Sequence, residues 1–186
     1  MKIIFFINKG INSATARYRG YLFAKEARKS IKTKIVRVNE IYDRYQFNKS
    51  RIKNFIKIFN LIKNTNQDDV LFLIKTVYNI DFLIIIIIEK ILMNKKIIFD
   101  FDDTIYAKPF TKLSCIILTK ISNAVTVGSS TLYNWAKNKN KNTFKLPTSI
   151  PHELYKKKYV KRKNKIFTIG WIGNGNNHYK NLILLK

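Results

Sequence analysis

Lys96-Ile97-Ile98-Phe99-Asp100-Phe101-Asp102-Asp103-Thr104-Ile105-Tyr106 is an apolar strand that runs straight into three carboxylates. Asp100, Asp102 and Asp103 are three of the chain's eleven acidic residues, against thirty-six Lys and Arg. Ligands of α/β proteins bind outside the carboxyl ends of parallel strands, so carboxylates in that position mark a site. This stretch therefore predicts a parallel sheet and puts a candidate site on its edge.

Strands and helices alternate on both sides of it. Lys2–Ile7 is a continuous apolar run that fits a parallel strand buried on both faces. Gly10 to Gly20 reads as a loop turning into a helix that runs to about Ser30. Ile35–Val38 and Val70–Ile74 are further strands. Between them Arg51–Asn64 is an amphipathic helix, with Ile52, Phe55, Ile56, Phe59 and Ile62 as its apolar stripe. The β-branched run Ile84–Ile88 favours a strand locally. Two parallel strands need a crossover, however, and Asn79–Asn94 is the segment that can supply it, so a helix capped by Asp81 is expected there. Pro109 opens the next helix, with Leu113, Ile116, Ile117 and Ile121 on one side. Ala124–Gly128 is a strand, Ser129-Ser130-Thr131 caps a helix carrying Leu132 and Trp135, and Thr143–Leu146 is a last strand. Repeated βα units of this kind predict an open, mostly parallel, doubly wound Rossmann-like sheet over residues 1–150.

Residues 151–164 break the pattern with Lys156-Lys157-Lys158 and Lys161-Arg162-Lys163, which read as a basic linker. Ile166–Ile172, the loop Gly173-Asn174-Gly175-Asn176-Asn177 and the start of a helix follow, so 165–186 reads as the first βα unit of a second domain.

Apolar residues make up 46% of the 186, enough for a real core and too many for a disordered chain. The net charge of +25 points toward nucleic acid or an anionic membrane surface. Lys, Asn, Ile, Phe and Tyr are enriched together, as A- and T-rich codons would produce, and that bias scatters lysine without building a site. No aromatic-basic recognition motif accompanies the charge. Cys115, the single cysteine, excludes a disulfide framework and reads as a small buried hydrophobe. The opening apolar run lacks a small-residue cleavage site, and Phe82–Ile88 falls far short of the ~20 residues that span a bilayer. A cytoplasmic location is expected, with peripheral contact at the inner membrane face.

The Asp cluster supports two chemistries. Asp100-Phe-Asp-Asp-Thr104 resembles the haloacid dehalogenase signature, which implies Asp100 as phosphoryl-accepting nucleophile, Asp102 as general acid and Thr104 in support. That chemistry uses Mg²⁺ and normally draws on further carboxylates downstream. After Asp103 the sequence holds only Glu153, in the linker, and three strands precede the motif where that superfamily usually has none.

The second chemistry rests on several segments in order. They are Ser13–Tyr21 after the first strand, the Asp strand, Ala124–Ser130 ending in a Gly-Ser turn, Leu146–Ile150, and Phe167–Gly173 opening the second unit. Together they resemble the N-terminal half of glycosyltransferases with two facing Rossmann-like domains, the GT-B architecture, and among them the retaining, metal-independent group 1 kind. The resemblance implies a hexosyltransferase of polysaccharide biosynthesis, moving a sugar from a nucleotide-sugar donor to a glycan or lipid-linked acceptor, with no cofactor and no metal. Asp102 and Asp103 would line the acceptor side of the cleft. Arg17, Arg19 and Gly10 would approach the donor phosphates from one side, and Gly173 and Asn174 from the other, because cations and helix N-termini must hold the departing diphosphate. Catalytic residues are not identified. The family's main donor-binding groups have no counterpart in residues 1–186, so this stretch is expected to be inactive by itself. A third alternative, a nucleic-acid binder driven by charge, rests on composition.

Overall fold

The computed structural model describes residues 1–38, 49–150 and 183. The chain divides into two compact units, Met1–Pro151 and His152–Lys186, and the six strands among the described residues lie in the first. The expected linker and the start of a second domain, with Gly173 and Asn174, lie outside the described residues.

The sheet is entirely parallel and runs β2-β1-β3-β4-β5-β6. Its strands are β1 (Lys2–Ile7), β2 (Lys32–Arg37), β3 (Val70–Ile74), β4 (Lys96–Phe101), β5 (Ala124–Val127) and β6 (Thr143–Lys145). The chain steps from β1 outward to β2, returns past β1 to β3, and then proceeds in the opposite direction. This reversal opens a crevice between the carboxyl ends of β1 and β3, the place where doubly wound sheets take ligands. The register sets Ile7 beside Ile74, Ile74 beside Asp100, and Asp100 beside Thr126, so these residues share one level at the sheet's edge.

Two cores explain why β1 and β3 read as unbroken apolar runs. Phe5, Ile7, Phe72 and Ile74 face one way and pack on α1, through Ala16 and Ala24. Ile4, Phe6, Leu71 and Leu73 face the other way, into a larger core shared with the remaining helices. Helix α1 begins as a π-helical stretch, Ala16–Leu22, and continues as Phe23–Ala27. Gly20 lets it press on β1, since a Cβ there would stand 3.0 Å from Ile7 Cγ2. On the opposite face lie α2 (Lys49–Lys63), α3 (Ile80–Met93), α4 (Pro109–Ile121, after a 3₁₀ turn at Ile105–Ala107) and α5 (Ser130–Lys137). The doubly wound α/β fold expected from the sequence is the one observed, and the ambiguous isoleucine run is helical.

Three local expectations need correction. The cap of α3 is Asn79, whose Oδ1 accepts from the amides of Asp81 and Phe82 at 3.1 and 3.2 Å, so Asp81 sits inside the first turn. The buried side of α2 is Ile58 and Ile62 with Phe55 and Phe59 packed against the core, while Ile52 and Ile56 are 56% and 51% exposed. The buried side of α4 is Thr111, Cys115, Leu118 and Thr119, and Leu113 is 67% exposed. Each helix carries more apolar side chains than its neighbours can cover, so a stripe read from periodicity is broader than the face the core accepts. Cys115 is fully buried as expected, and burial pushes its thiol up to about 12.

Candidate functional site

The crevice between β1 and β3 holds a cavity of about 250 Å³, lined by Asn8, Lys9, Ser13, Thr15, Lys75 and Tyr78 together with Ile7, Ala16 and Ile74. The ends of β1 and β3 supply one wall and the loop into α1 the other. Lys75 follows the last residue of β3 and adopts a left-handed backbone, φ 52°. Such a conformation costs a residue other than glycine about 1–3 kcal/mol and persists only where its surroundings impose it. Here the Lys75 amide donates to the Asp100 carbonyl at 2.8 Å, and the Lys75 carbonyl accepts from Asn8 Nδ2. The bend aims the ammonium at Asp103, with which it pairs, and at Asp102 Oδ1, 3.5 Å away. Burial by itself lowers the Lys75 pKa, but Asp103 and Asp102 outweigh it and hold the group above its usual range, so it stays charged.

Asp102 is fixed from two sides. The Thr15 hydroxyl donates to its Oδ2 at 3.1 Å, and its Oδ1 is buried without a hydrogen-bond partner. The loop after β5 presses against its back, since a Cβ on Gly128 would stand 3.2 Å from both Asp102 Cα and Cβ. Asn8 Oδ1 is likewise buried with no partner. A buried acceptor without a donor is costly, so Asn8 Oδ1, on the cavity's lining, is placed to receive a hydrogen bond, while Asp102 Oδ1 is compensated in part by the Lys75 ammonium. Fixed carboxylate and amide acceptors beside an ammonium, a hydroxyl and a phenol suit a ligand rich in hydroxyl groups.

Asp100 has a different role. It is 1% exposed, and Arg19, 6% exposed, lies against it. Arg19 donates through Nε to Asp100 Oδ2 at 2.7 Å and through a terminal nitrogen to Oδ1, a bidentate fork. The Thr126 hydroxyl adds a bond to Oδ1 at 2.6 Å. The other terminal nitrogen of Arg19 donates to the Leu146 carbonyl at 2.9 Å and the Thr148 hydroxyl at 3.1 Å, tying residues 146–148 to the sheet. Burial, with Asp102 nearby, holds the Asp100 carboxyl above its usual range against the opposing pull of Arg19 and Thr126. Burial lowers Arg19, and its bond to Asp100 more than restores it. An enclosed guanidinium does not lose its proton, so Arg19 stays charged beside Asp100.

The residues named from the sequence thus separate. Asp102 and Asp103 contact Lys75, which lines the cleft, and are not themselves on its lining. Arg19, expected at the donor phosphates, is instead a buried strut whose donors are used within the fold. Arg17 lies over the Tyr18 ring at 4.9 Å, and Tyr18 lines a second, smaller cavity of about 40 Å³ with Arg19 and Asp100. Gly10 forms a turn, accepting from the Ser13 amide at 3.0 Å, and a Cβ there would make only ordinary contact, 3.7 Å from Arg37. Asn8, Thr15, Lys75 and Tyr78 were missed. Lys75 was legible by the rule that marked the aspartates, because it directly follows an apolar strand.

The aspartates do not fit a divalent cation as placed. Asp100 is closed off by Arg19, and among the described residues no group of three or more His, Cys, Asp and Glu could hold a metal ion. Nor could a carboxylate sealed in this way reach a phosphoryl group. No helix among the described residues is long and apolar enough to cross a membrane. No protein-family model matches the chain, and a search of curated proteins gives no significant match.

Proposed function

We propose that residues 1–150 are the acceptor-side domain of a glycosyltransferase that moves a sugar from a nucleotide-sugar donor to a glycan or lipid-linked acceptor. The observation that carries this reading is the pair of buried acceptors without a hydrogen-bond donor at the β1/β3 crevice, Asn8 Oδ1 on its lining and Asp102 Oδ1 3.5 Å from the ammonium of Lys75, which also lines it. A sugar hydroxyl donates to such an oxygen and accepts from the adjacent ammonium or hydroxyl, so one hydroxyl group satisfies both sides. The doubly wound parallel sheet is consistent with the reading, because such sheets bind ligands in the crevice outside the carboxyl ends of their strands. In the reaction this domain binds and orients the acceptor. Held with its nucleophilic hydroxyl facing out of the crevice, the acceptor meets the donor in a fixed geometry, which lowers the barrier by removing orientational freedom.

The test is titration of the isotopically labelled chain with hexoses, hexosamines and their disaccharides, followed by amide chemical shifts. The expected result is saturable, sugar-selective shifts at Thr15, Lys75 and Asp102 that weaken at least tenfold in Asp102→Asn. That factor corresponds to a lost charged hydrogen bond of about 1.5–3 kcal/mol. Mg²⁺-dependent cleavage of p-nitrophenyl phosphate, abolished by Asp100→Asn, would replace this reading with the phosphatase one.

A further inference from the structure

The geometry points to an N-acylated amino sugar as the ligand of the β1/β3 crevice. This inference deepens the acceptor reading above and rests on it. The cavity of about 250 Å³ equals about eight times the volume a water molecule takes in the liquid, which suits a single sugar ring. Its wall offers three kinds of group. Asn8, directly after β1, supplies a buried amide oxygen with no hydrogen-bond partner among the described residues. The fold itself sets which way that amide faces. Asn8 Nδ2 donates to the Lys75 carbonyl, which can only accept, so Oδ1 is the end left over. Lys75, directly after β3, supplies a charged donor, and its bond to Asp103 uses one of its three protons. Ile7, Ala16 and Ile74 supply apolar surface; all three belong to one core cluster, and Ile7 and Ile74 are neighbours across the β1/β3 ladder.

Chemistry selects among the substituents a sugar can carry. A buried acceptor left unpaired is costly, so the group that meets Asn8 Oδ1 must be a donor. A carboxylate has no proton to give and fails there. An ammonium can donate, but Lys9 and Lys75 both line the cavity and the aspartates that balance Lys75 do not, so a cationic amino sugar meets like charge. A hydroxyl satisfies Asn8 and Lys75 but brings nothing to the apolar wall. An acetamido group uses all three. Its N–H donates to Asn8 Oδ1, its carbonyl accepts from the Lys75 ammonium, and its methyl lies against Ile7, Ala16 and Ile74. The N–H and C=O of a trans amide point in opposite directions, so the group spans from the end of one strand to the end of the next.

The experiment is titration of the isotopically labelled full chain with methyl glucosides and galactosides that differ only at carbon 2, followed by amide chemical shifts. The substituents are hydroxyl, ammonium, acetamido and N-methylacetamido. The acetamido sugar is expected to bind at least about fourfold more tightly than the hydroxyl sugar, the factor for one buried methyl. It is expected to bind at least about tenfold more tightly than the ammonium sugar, which meets like charge. The same margin of about tenfold is expected over the N-methylacetamido sugar, which keeps the carbonyl and the methyl but has no proton for Asn8. Asn8→Ala, with an unchanged thermal melt, should close that last gap. The parent chain's own series decides the matter if the variant does not fold. A hydroxyl sugar that binds as tightly as the acetamido sugar overturns the inference and leaves the acceptor reading standing. An N-methylacetamido sugar that binds as tightly does the same. Binding of none of the four removes both.

Discussion

Replacing Arg19 by methionine isolates the most heavily bonded ion pair of the sheet's edge. Arg19→Met keeps the volume and the helix but strips two guanidinium bonds from a carboxylate that is 1% exposed. Thr126 then remains as its hydrogen-bond donor, at 2.6 Å. Removing one partner of a buried pair costs about 3–5 kcal/mol, because the other charge is left without compensation. The Leu146 carbonyl and the Thr148 hydroxyl lie on exposed chain, so water replaces those two bonds at little cost. In a chain of this size each kcal/mol moves the melting temperature by about 2–4 °C, so Arg19→Met should melt about 6–20 °C below the parent. The second variant, Arg19→Met with Asp100→Leu, removes the orphaned charge and should recover most of the loss, as buried pairs replaced by apolar groups often do. The loss in the single variant should also shrink as pH falls. Burial raises the pKa of an unpaired Asp100 above that of the unfolded chain, so the folded state takes its proton first and the penalty fades toward acid. Thermal and urea unfolding followed by circular dichroism read all three quantities. A single variant within about 1 kcal/mol of the parent, or a double variant no more stable than the single, would refute the account of Asp100 as a buried, paired charge.

Two further substitutions probe other parts of the fold. Gly128→Ala brings a Cβ to 3.2 Å from Asp102 Cα, and backbone yields little, so a stability loss of about 1–3 kcal/mol is expected with displaced amide shifts at Asp102 and Thr15. Unchanged shifts would show that the two loops are not in contact. Asp69 is buried, which alone raises its pKa, but amide bonds from Lys2 at 2.8 Å and Asn66 at 3.0 Å, with the Lys2 ammonium, hold it below the ordinary 3.8. A depressed carboxylate adds stability that is present above 3.8 and lost as pH falls through its folded value. Asp69→Asn should therefore flatten the acid limb of the stability curve between about pH 5 and pH 2, and an unchanged limb in urea titrations would contradict it.

The architecture was legible because parallel strands buried on both faces write themselves as unbroken apolar runs, and Val70–Ile74 and Lys2–Ile7 are strands as read. Topology did the same for the isoleucine run, which had to be a crossover helix despite its local preference. Helix faces were less legible. Periodicity assigned Ile52, Ile56 and Leu113 to the core, but how much of a helix the sheet covers depends on its neighbours, and those positions face out.

The aspartate cluster was visible in one dimension as three equal carboxylates, and its position at a strand's end followed from the sequence alone. Their division of labour did not. Asp100 lies within β4, where the sheet and Arg19 enclose it, whereas Asp102 comes after the strand ends at Phe101 and meets Thr15 and Lys75 instead. Which cation each meets depends on Arg19 and Lys75, 81 and 28 positions away from Asp100 and Asp103. Charge and spacing within a segment belong to the sequence. Pairing across such distances is decided when the sheet brings the segments together, because only then does burial separate the carboxylate enclosed by Arg19 from those set beside Lys75.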